Sequence, residues 1–424
     1  MEEWDTRPLS DFVDTDRSIC YGIVQPGSAV SNGIPIVRVN NFVGGGIETA
    51  DALKVDSEIE AKYNRSRLQG GELLITLVGS MGLTAIAPKE LRGWNVARAV
   101  GVVPLRADAD KRWINFVIRG KSAQDFIRTR ANTTVQATFN LKDLAELPIT
   151  YPPDPARSAM SSMLSALDDK IELNRQMNES LETMARAIFK DWFVDFGPTR
   201  AKMESRAPYL AQDIWSAFPD HFDDEGRPKG WGVSSVYEIA DVIYGAPFSS
   251  RLFNIERRGR PLIRIRDLPS ETPGVWTPED HPKGYVVRAG DIVVGMDGEF
   301  RAYLWGGDDA WLNQRVCVFR PKAGFSAAFV RNSIIDLLAH VEATEIATTV
   351  IHLGKNDIDR FQVVLATRDL ISKFGSVCQP LYDRIVTNKI ESRALAAMRD
   401  LLLPKLMSGE IRIKDVENII GGAS

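Results

Sequence analysis

The sequence predicts an α+β protein: two mixed α/β domains separated by two long antiparallel helices that form a coiled coil, the whole built as an internal pseudo-twofold repeat. Three observations lead there. Six stretches recur in the same order more than 200 residues apart. Short β-branched runs punctuated by turn residues fill the first part of each repeat. A heptad stripe interrupted by asparagine fills the second part.

The repeat comes first because it organises everything else. Trp4 is echoed by Trp231, and Tyr21-Gly22 by Tyr244-Gly245. "GIPIVRVN" (33–40) matches "GRPLIRIR" (259–266), setting Pro35 on Pro261 and Arg38 on Arg264. "GGELLITLVG" (70–79) matches "AGDIVVGMDG" (289–298). "GWNVARAVGVVPL" (93–105) matches "AWLNQRVCVFRPK" (310–322), pairing Trp94 with Trp311, Arg98 with Arg315 and Pro104 with Pro321. "TTVQATFNLKDLAELPI" (133–149) faces "TTVIHLGKNDIDRFQVV" (348–364), and "DDKIELNRQMNE" (168–179) is echoed by "YDRIVTNKIESR" (382–393). The offset falls from 227 to 214 along the chain, as short loop insertions and deletions would make it.

The repeat divides the chain into a first domain (1–153), a helix (154–200), a second domain (201–366) and a second helix with a tail (367–424). In the domains, "GIPIVRV", "ELLITLV" and "RAVGVVPL", then "PLIRIR", "DIVVGM" and "RVCVFR", read as strands, with helical stretches such as "WINFVIRGKSAQDFIRTR" and "SAAFVRNSIIDLLAHVEA" between them. The first long helix should open with Asp154 as N-cap and Pro155 at the first helical position, where a missing N–H costs nothing. It should close at "DFGP", with Gly197 in the left-handed C′ position and Pro198 preventing continuation. The second should open near Thr367 and end by Pro404, with a kink or break at Pro380.

The first helix carries Leu167, Ile171, Asn174, Asn178, Leu181, Ala185, Ile188 and Trp192 at alternating steps of four and three, a heptad seam. Leu381, Ile385, Asn388, Ser392, Leu395, Arg399, Leu402 and Leu406 repeat it, the last lying beyond Pro404. A polar residue in a seam costs stability but fixes register, so Asn174 and Asn388 read as register devices in helices meant for each other. A whole domain lies between the helices in sequence, which favours antiparallel pairing within one chain. Two similar domains held by a rod suggest a ruler for an object with matching sites at fixed separation. Duplex DNA qualifies, its groove faces recurring about every 34 Å.

Composition fits this picture without specifying it. At 424 residues, 44% hydrophobic and 25% charged, the chain is long enough for two or three cores. No apolar run reaches the roughly 18 residues of a membrane span, and "MEEWDTRPLSD" is no signal peptide of the usual build. Three dispersed cysteines, Cys20, Cys317 and Cys378, without CxxC spacing predict a reducing, cytoplasmic location and no zinc site. The net charge of −4 weighs against a simple basic DNA-binding surface, but positive charge is concentrated locally in 251–267, 119–130 and 61–67.

"LDDKIELNRQMNESLETMARAIFKDWFVDF" followed, a domain later, by "LLLPKLMSGEI" resembles the central and distal conserved regions of the specificity subunit of type I restriction–modification enzymes. The resemblance spans the chain, as target-recognition domain, spacer helix, target-recognition domain and spacer helix. It departs in detail: "YPPDPARS" stands where the family often has a proline-rich stretch followed by Glu-Gln, and the second half lacks the double proline. The resemblance implies a non-catalytic subunit. Each recognition domain would read one half of a bipartite duplex DNA target, while the helices set the unread spacer and dock two modification (methyltransferase) subunits. Restriction (translocase/nuclease) subunits would complete the nuclease, with S-adenosylmethionine, ATP and Mg on the partner subunits and no cofactor here.

The residues are consistent with a non-enzyme. "RGKS" (119–122) lacks the P-loop glycine five residues ahead, "VGGGIE" (43–48) lacks GxGxxG spacing, and the four histidines are scattered. "TYPPDP" (150–155) has the wrong flanks for the adenine-methyltransferase motif, and "PDHFDDEGRP" (219–228) reads as a solvated linker. DNA contacts are expected from Arg38, Arg98, Arg264 and Arg315, from Gln136, Asn140 and Lys355 after the two "TTV" strings, and from Arg257, Arg258 and Arg260. The last three are unrepeated. Half-sites differ, so base readers should differ while phosphate contacts recur. "AIFKDWFVDF" (187–196) is apolar all round, so Phe189, Trp192, Phe193 and Phe196 offer either a docking surface for the modification subunit or packing against the chain's own domains. A second reading of the whole is a coiled-coil scaffold joining two domains that bind ligands other than DNA.

Overall fold

A computed structural model describes residues 4–50, 52–131, 138–344 and 351–411. The chain forms two compact units. One comprises residues 1–172 with 394–424, the other 173–393. Each unit takes a segment of both long helices, so each closes its own core with helices from both halves of the sequence.

In the first unit a four-stranded antiparallel sheet runs in the order Cys20–Tyr21, Val100–Val103, Leu73–Thr76, Thr84–Ile86. A three-stranded sheet sets Ile34–Val37 between Leu53–Val55, antiparallel, and Asn95–Val96, parallel. The central strands are apolar throughout because both faces are covered. Leu73, Ile75 and Val103 face a core built with Trp113, Phe116 and Phe139, while Leu74, Val100 and Val102 face Val37 and Val96. Two helices, Lys111–Arg119 and Lys121–Arg130, supply the first of these layers. Asp110 caps the former by accepting from Trp113 N–H at 2.9 Å.

The second unit repeats the plan. Its four-stranded sheet runs Ala240–Tyr244, Val316–Pro321, Ile292–Gly295, Ala302–Leu304, and Arg260–Ile263 again lies parallel to one neighbour, here Ala310–Leu312. Ile292, Val294, Cys317 and Phe319 face one core, and Val293, Val316 and Val318 the other. Gly22 and Gly245 are equivalent: a Cβ on either would lie 1.8 Å from Val96 O or 2.0 Å from Asn313 O, so neither position admits a side chain.

The ladders correct the alignment of the repeat in one stretch. Ile36 pairs with Asn95 where Leu262 pairs with Trp311, and Leu77 N–H donates to Ala99 O where Met296 N–H donates to Arg315 O. Trp311 is therefore the counterpart of Asn95, and Arg315 of Ala99. The expected pairs Trp94/Trp311, Arg98/Arg315 and Pro104/Pro321 are each out by one residue. Side-chain identity attracted the sequence match, whereas backbone hydrogen bonds set the register.

The first long helix spans Ala156–Phe193 and the second Arg368–Met407. They pair antiparallel within each unit. In the first, Met160 and Leu164 share a core with Leu402, Leu403 and Leu406; in the second, Ala185 and Trp192 share one with Phe374, Cys378 and Ile385. Two expected endings are corrected. The second helix passes Pro404, and Ser408 N–H donates to Pro404 O at 3.0 Å. It is likewise unbroken at Pro380. Both prolines are exposed while Leu402, Leu403, Leu406, Cys378 and Tyr382 beside them are buried, so packing outweighs the lost helical bond. At the end of the first helix it is Phe196, not Gly197, that turns left-handed, at φ 56°. Pro198 then lies in the first turn of a further helix, Gly197–Met203. Phe196 is held edge-on to Trp231 at 5.7 Å, and Gly197 leaves room for the Asp191 carboxylate, which a Cβ would meet at 2.0 Å.

A buried carboxylate braces the first unit. Glu60, 2% exposed, accepts from Arg67 Nε at 2.8 Å and from Asn95 Nδ2 at 2.9 Å. The Arg67 hydrogen bond outweighs desolvation and holds the Glu60 carboxyl below the usual carboxylate range. A depressed folded pKa contributes stability that is complete above the unfolded value of about 4.3 and is lost as pH falls through the folded value. Glu60→Gln is thus expected to lower unfolding free energy by about 1.5–3 kcal/mol at neutral pH. It should also flatten the acid limb of a stability–pH curve below pH ~4, and an unchanged acid limb in urea titrations would contradict this account.

Candidate nucleic-acid interface and helical seam

The expected nucleic-acid contacts fall into three groups. Arg38 and Arg264 are structural counterparts, each preceding a short turn. Asn41 Oδ1 accepts from Arg38 N–H at 2.8 Å, and Asp267 Oδ2 from Arg264 N–H at 3.0 Å. The Arg264 guanidinium also pairs with Asp267 at 3.0 Å. The turn recurs as a backbone motif that uses only the N–H of these residues, and the Arg264 side chain is in addition committed to the Asp267 carboxylate.

Arg98, Arg315, Asn140 and Lys355 form the second group, all at exposed positions. Arg98 ties its backbone to Ile23 O at 2.8 Å. Arg315 reaches Asp297 at 3.5 Å, and His352 Nδ1 lies 2.6 Å from the same carboxylate. Asn140 caps the helix Leu141–Ala145, accepting from Asp143 N–H at 2.8 Å, so its amide oxygen serves the fold. Lys355 opens the equivalent helix Lys355–Ile358 and pairs with Asp359 at 2.8 Å. Gln136 lies outside the described residues.

The third group lies on the segment entering Arg260–Ile263. Arg257 has left-handed backbone, φ 60°, and its guanidinium sits 5.4 Å from the Trp276 ring centroid. Arg258 is exposed and reaches Glu256 at 3.3 Å. Arg260 stacks over Trp311 at 4.5 Å. Aromatic faces thus hold two of the three guanidinium groups, a cation–π arrangement that orders long side chains before any ligand arrives.

The other basic runs are largely spent internally. Arg119 pairs with Asp168 at 2.6 Å, Arg128 with Asp125, Arg130 with Asp143 at 3.2 Å, and Arg67 with Glu60. In 219–228, Asp223 accepts from the backbone of Glu225 and Arg227 in a turn. No group of three metal-ligating side chains occurs among the described residues, and no described helix is long and apolar enough to cross a membrane.

The seam asparagines are both 0% exposed. Asn174 Nδ2 donates to Glu391 Oε2 at 2.7 Å and to Ser392 Oγ at 3.2 Å, and Asn388 Nδ2 donates to Asn178 Oδ1 at 2.9 Å. The amide oxygens of Asn174 and Asn388 are buried with no partner among the described residues. These bonds are specific to one alignment of the helices, since a shift by one heptad would break them. Around them Leu181, Ile188 and Leu381 are half-buried and Ile385 wholly buried in the second unit's core. Leu167 and Leu402 pack in the first unit's core, and Ile171 and Leu395 are half-buried. The polar seam position of Arg399 pairs with Asp168 at 2.6 Å, the carboxylate that also holds Arg119. Sequence reading missed this junction; its one signal was an arginine in an otherwise apolar stripe.

The aromatic run does not form a free surface. Trp192 and Phe193 are 2% exposed, and Phe189 and Phe196 pack against the same core. Phe193 lies 5.2 Å from both Phe329 and Phe374, and Trp192 5.2 Å from Phe218. The docking expectation for these four side chains is therefore corrected. Their all-round apolarity reflects a helix end enclosed by the unit's own helices and loops.

Comparison with known proteins follows the same lines. Residues 1–183 match the family described as the type I restriction modification DNA specificity domain. The chain is 24% identical over 373 residues to the type I restriction enzyme MjaIX specificity subunit of Methanocaldococcus jannaschii, covering 82% of this chain and 79% of that one. It is 23% identical to the HindI specificity subunit of Haemophilus influenzae, covering 67% and 72%. It is 28% identical over 152 residues to the EcoBI specificity subunit of Escherichia coli, covering 36% and 32%. Among solved structures, the type I restriction-modification S subunit from M. genitalium aligns over 95% of this chain and 96% of its own, with TM-score 0.48 and 14% identity.

Proposed function

We infer that this chain belongs to the specificity subunits of type I restriction–modification enzymes and acts as the DNA sequence-specificity subunit of such a system. The observation that carries the reading is duplication of one scaffold: the same strand order and the same parallel pairing occur in both units, with different residues on the connecting loops. Such a chain is suited to a target in two unlike halves. Each target-recognition domain reads one half-site, the paired helices set the unread spacer, and two modification subunits dock on the chain. The subunit is non-catalytic. Methyl transfer from S-adenosylmethionine and ATP- and Mg-dependent translocation and cleavage belong to the modification and restriction subunits, in the cytoplasm. Nothing observed favours the scaffold reading with ligands other than DNA.

Genome-wide mapping of methylated bases in the source organism, with the gene intact and deleted, tests this. One split motif, two short half-sites around a fixed gap, should lose methylation on deletion. A methylome without any change, together with no modification subunit co-purifying with the chain, would overturn the reading.

A further inference from the structure

The two domains share a frame but not one of its loops. In both, a loop leaves Tyr-Gly and returns at Gly-X-Pro, and both ends are fixed by glycines that touch backbone. A Cβ on Gly33 would lie 2.2 Å from Val55 O, and one on Gly259 2.2 Å from Thr277 O, mirroring the tight approaches of Gly22 and Gly245. Between these fixed ends the first domain has ten residues, "IVQPGSAVSN", without a cation. The second has thirteen, "APFSSRLFNIERR", with Arg251, Arg257 and Arg258. A segment that diverges in length and charge between anchors repeated in both domains is where two half-sites would be told apart.

The longer loop is built rather than loose. Asn254 N–H donates to Trp276 O at 3.0 Å, and Trp276 N–H returns a bond to Asn254 O at 2.9 Å. The Asn254 amide closes the tip, donating to Arg258 O at 2.9 Å and accepting from Arg258 N–H at 2.9 Å. Phe248 and Phe253 turn into a small core with Leu262, Val275 and Trp311. Ile255 does not. At 75% exposed it is the most exposed large apolar side chain among the described residues, at the closed tip and beside Arg257 and Arg258.

We propose that the loop 246–258 is the specificity-determining element of the second domain and that Ile255 contacts the 5-methyl group of a thymine in the major groove of its half-site. This rests on the DNA-specificity reading above. An aliphatic side chain has one base-edge partner in the major groove, the thymine methyl, while the flanking arginines match guanine edges or phosphates. The loop carries three arginines against one acid, Glu256, and this net positive charge favours DNA over a protein partner as its occupant.

The test uses the full chain purified from its host with the subunits bound to it, and duplexes carrying the mapped split motif. Each thymine of the second half-site is replaced in turn by uracil, which removes only the methyl. One replacement should weaken wild-type binding about three- to tenfold, and Ile255→Ala should bind the thymine and uracil duplexes alike. Ile255→Val should keep most of the discrimination, which guards against a folding defect in the alanine variant. Wild-type binding indifferent to every uracil, or an alanine variant that still discriminates, overturns the proposal. So does an alanine variant weakened equally on all duplexes, or one that sheds its bound subunits. A wild-type chain with no salt-dependent preference for the split motif would instead bring down the specificity reading itself.

Discussion

Trp192→Ala should lower the unfolding free energy of the second unit by about 3–5 kcal/mol, the usual loss when a large buried aromatic is truncated and the cavity cannot collapse. The indole is 2% exposed, edge-on to Phe218 at 5.2 Å and to Phe374 at 5.8 Å, rings contributed by a loop and by the opposite long helix. Phe189, Phe193, Phe329 and Trp231 complete the cluster, so neighbours are already fully engaged and little relaxation is available. Urea denaturation followed by circular dichroism measures the loss, with Val194→Ala, an exposed neighbour, as a control expected to change stability by less than about 0.5 kcal/mol. The contrast with a docking surface is direct. A Trp192→Ala chain as stable as wild type that no longer holds a modification subunit would show that burial has been misread.

The second large effect concerns the seam. Asn174→Asp changes one atom type in a wholly buried side chain and places a carboxylate where Nδ2 now donates to Glu391 at 2.7 Å. Burial and the neighbouring negative charge both disfavour ionisation, so the introduced carboxyl has a folded pKa above its unfolded value. The sign follows: the ionised form is penalised at neutral pH, and the penalty fades as pH falls through the folded pKa. A cost of about 3–5 kcal/mol at pH 7.5 is expected, that of an uncompensated buried charge. Denaturation midpoints should converge with those of wild type as the medium is acidified towards pH 5. Asn174→Leu with Asn388→Leu tests the opposite limit. It removes two buried amide oxygens that have no partner, and should leave stability near or above wild type while relaxing the alignment of the helices. An Asn174→Asp chain as stable as wild type at pH 7.5 would mean the seam is solvated.

Much of this architecture was legible in the sequence because it is written in periodicities. Continuous β-branched and aliphatic runs bounded by turn residues marked "ELLITLV" and "DIVVGM" as strands; a four-three step with asparagine marked the helices as partners. The same patterns occurring twice in one order mark the domains as duplicated. These signals are local or repeated, so they survive without knowledge of what lies opposite.

The candidate interface was less legible. Arg38 and Arg264 each enter a turn through the backbone N–H, a bond that asks nothing of the arginine side chain, and their partners Asn41 and Asp267, three residues on, were the overlooked clue to that turn. Arg98 and Arg315 aligned by identity but not by ladder, since hydrogen-bond register depends on the strand opposite.

The sequence by itself determined which segments are strands, which are paired helices, and that the chain is one scaffold used twice, for these follow from the spacing of side chains along a single strand or helix. Tertiary structure alone decided where the spare apolar and charged groups went. Phe189, Trp192, Phe193 and Phe196 turned inward because the second unit's rings enclose that helix end. Asp168 joined Arg119 to Arg399 across most of the sequence. Two prolines stayed within a helix because buried neighbours on either side outweighed a missing hydrogen bond. Each outcome depends on a neighbour distant along the chain, and the energy that decides it exists only once that neighbour is in place.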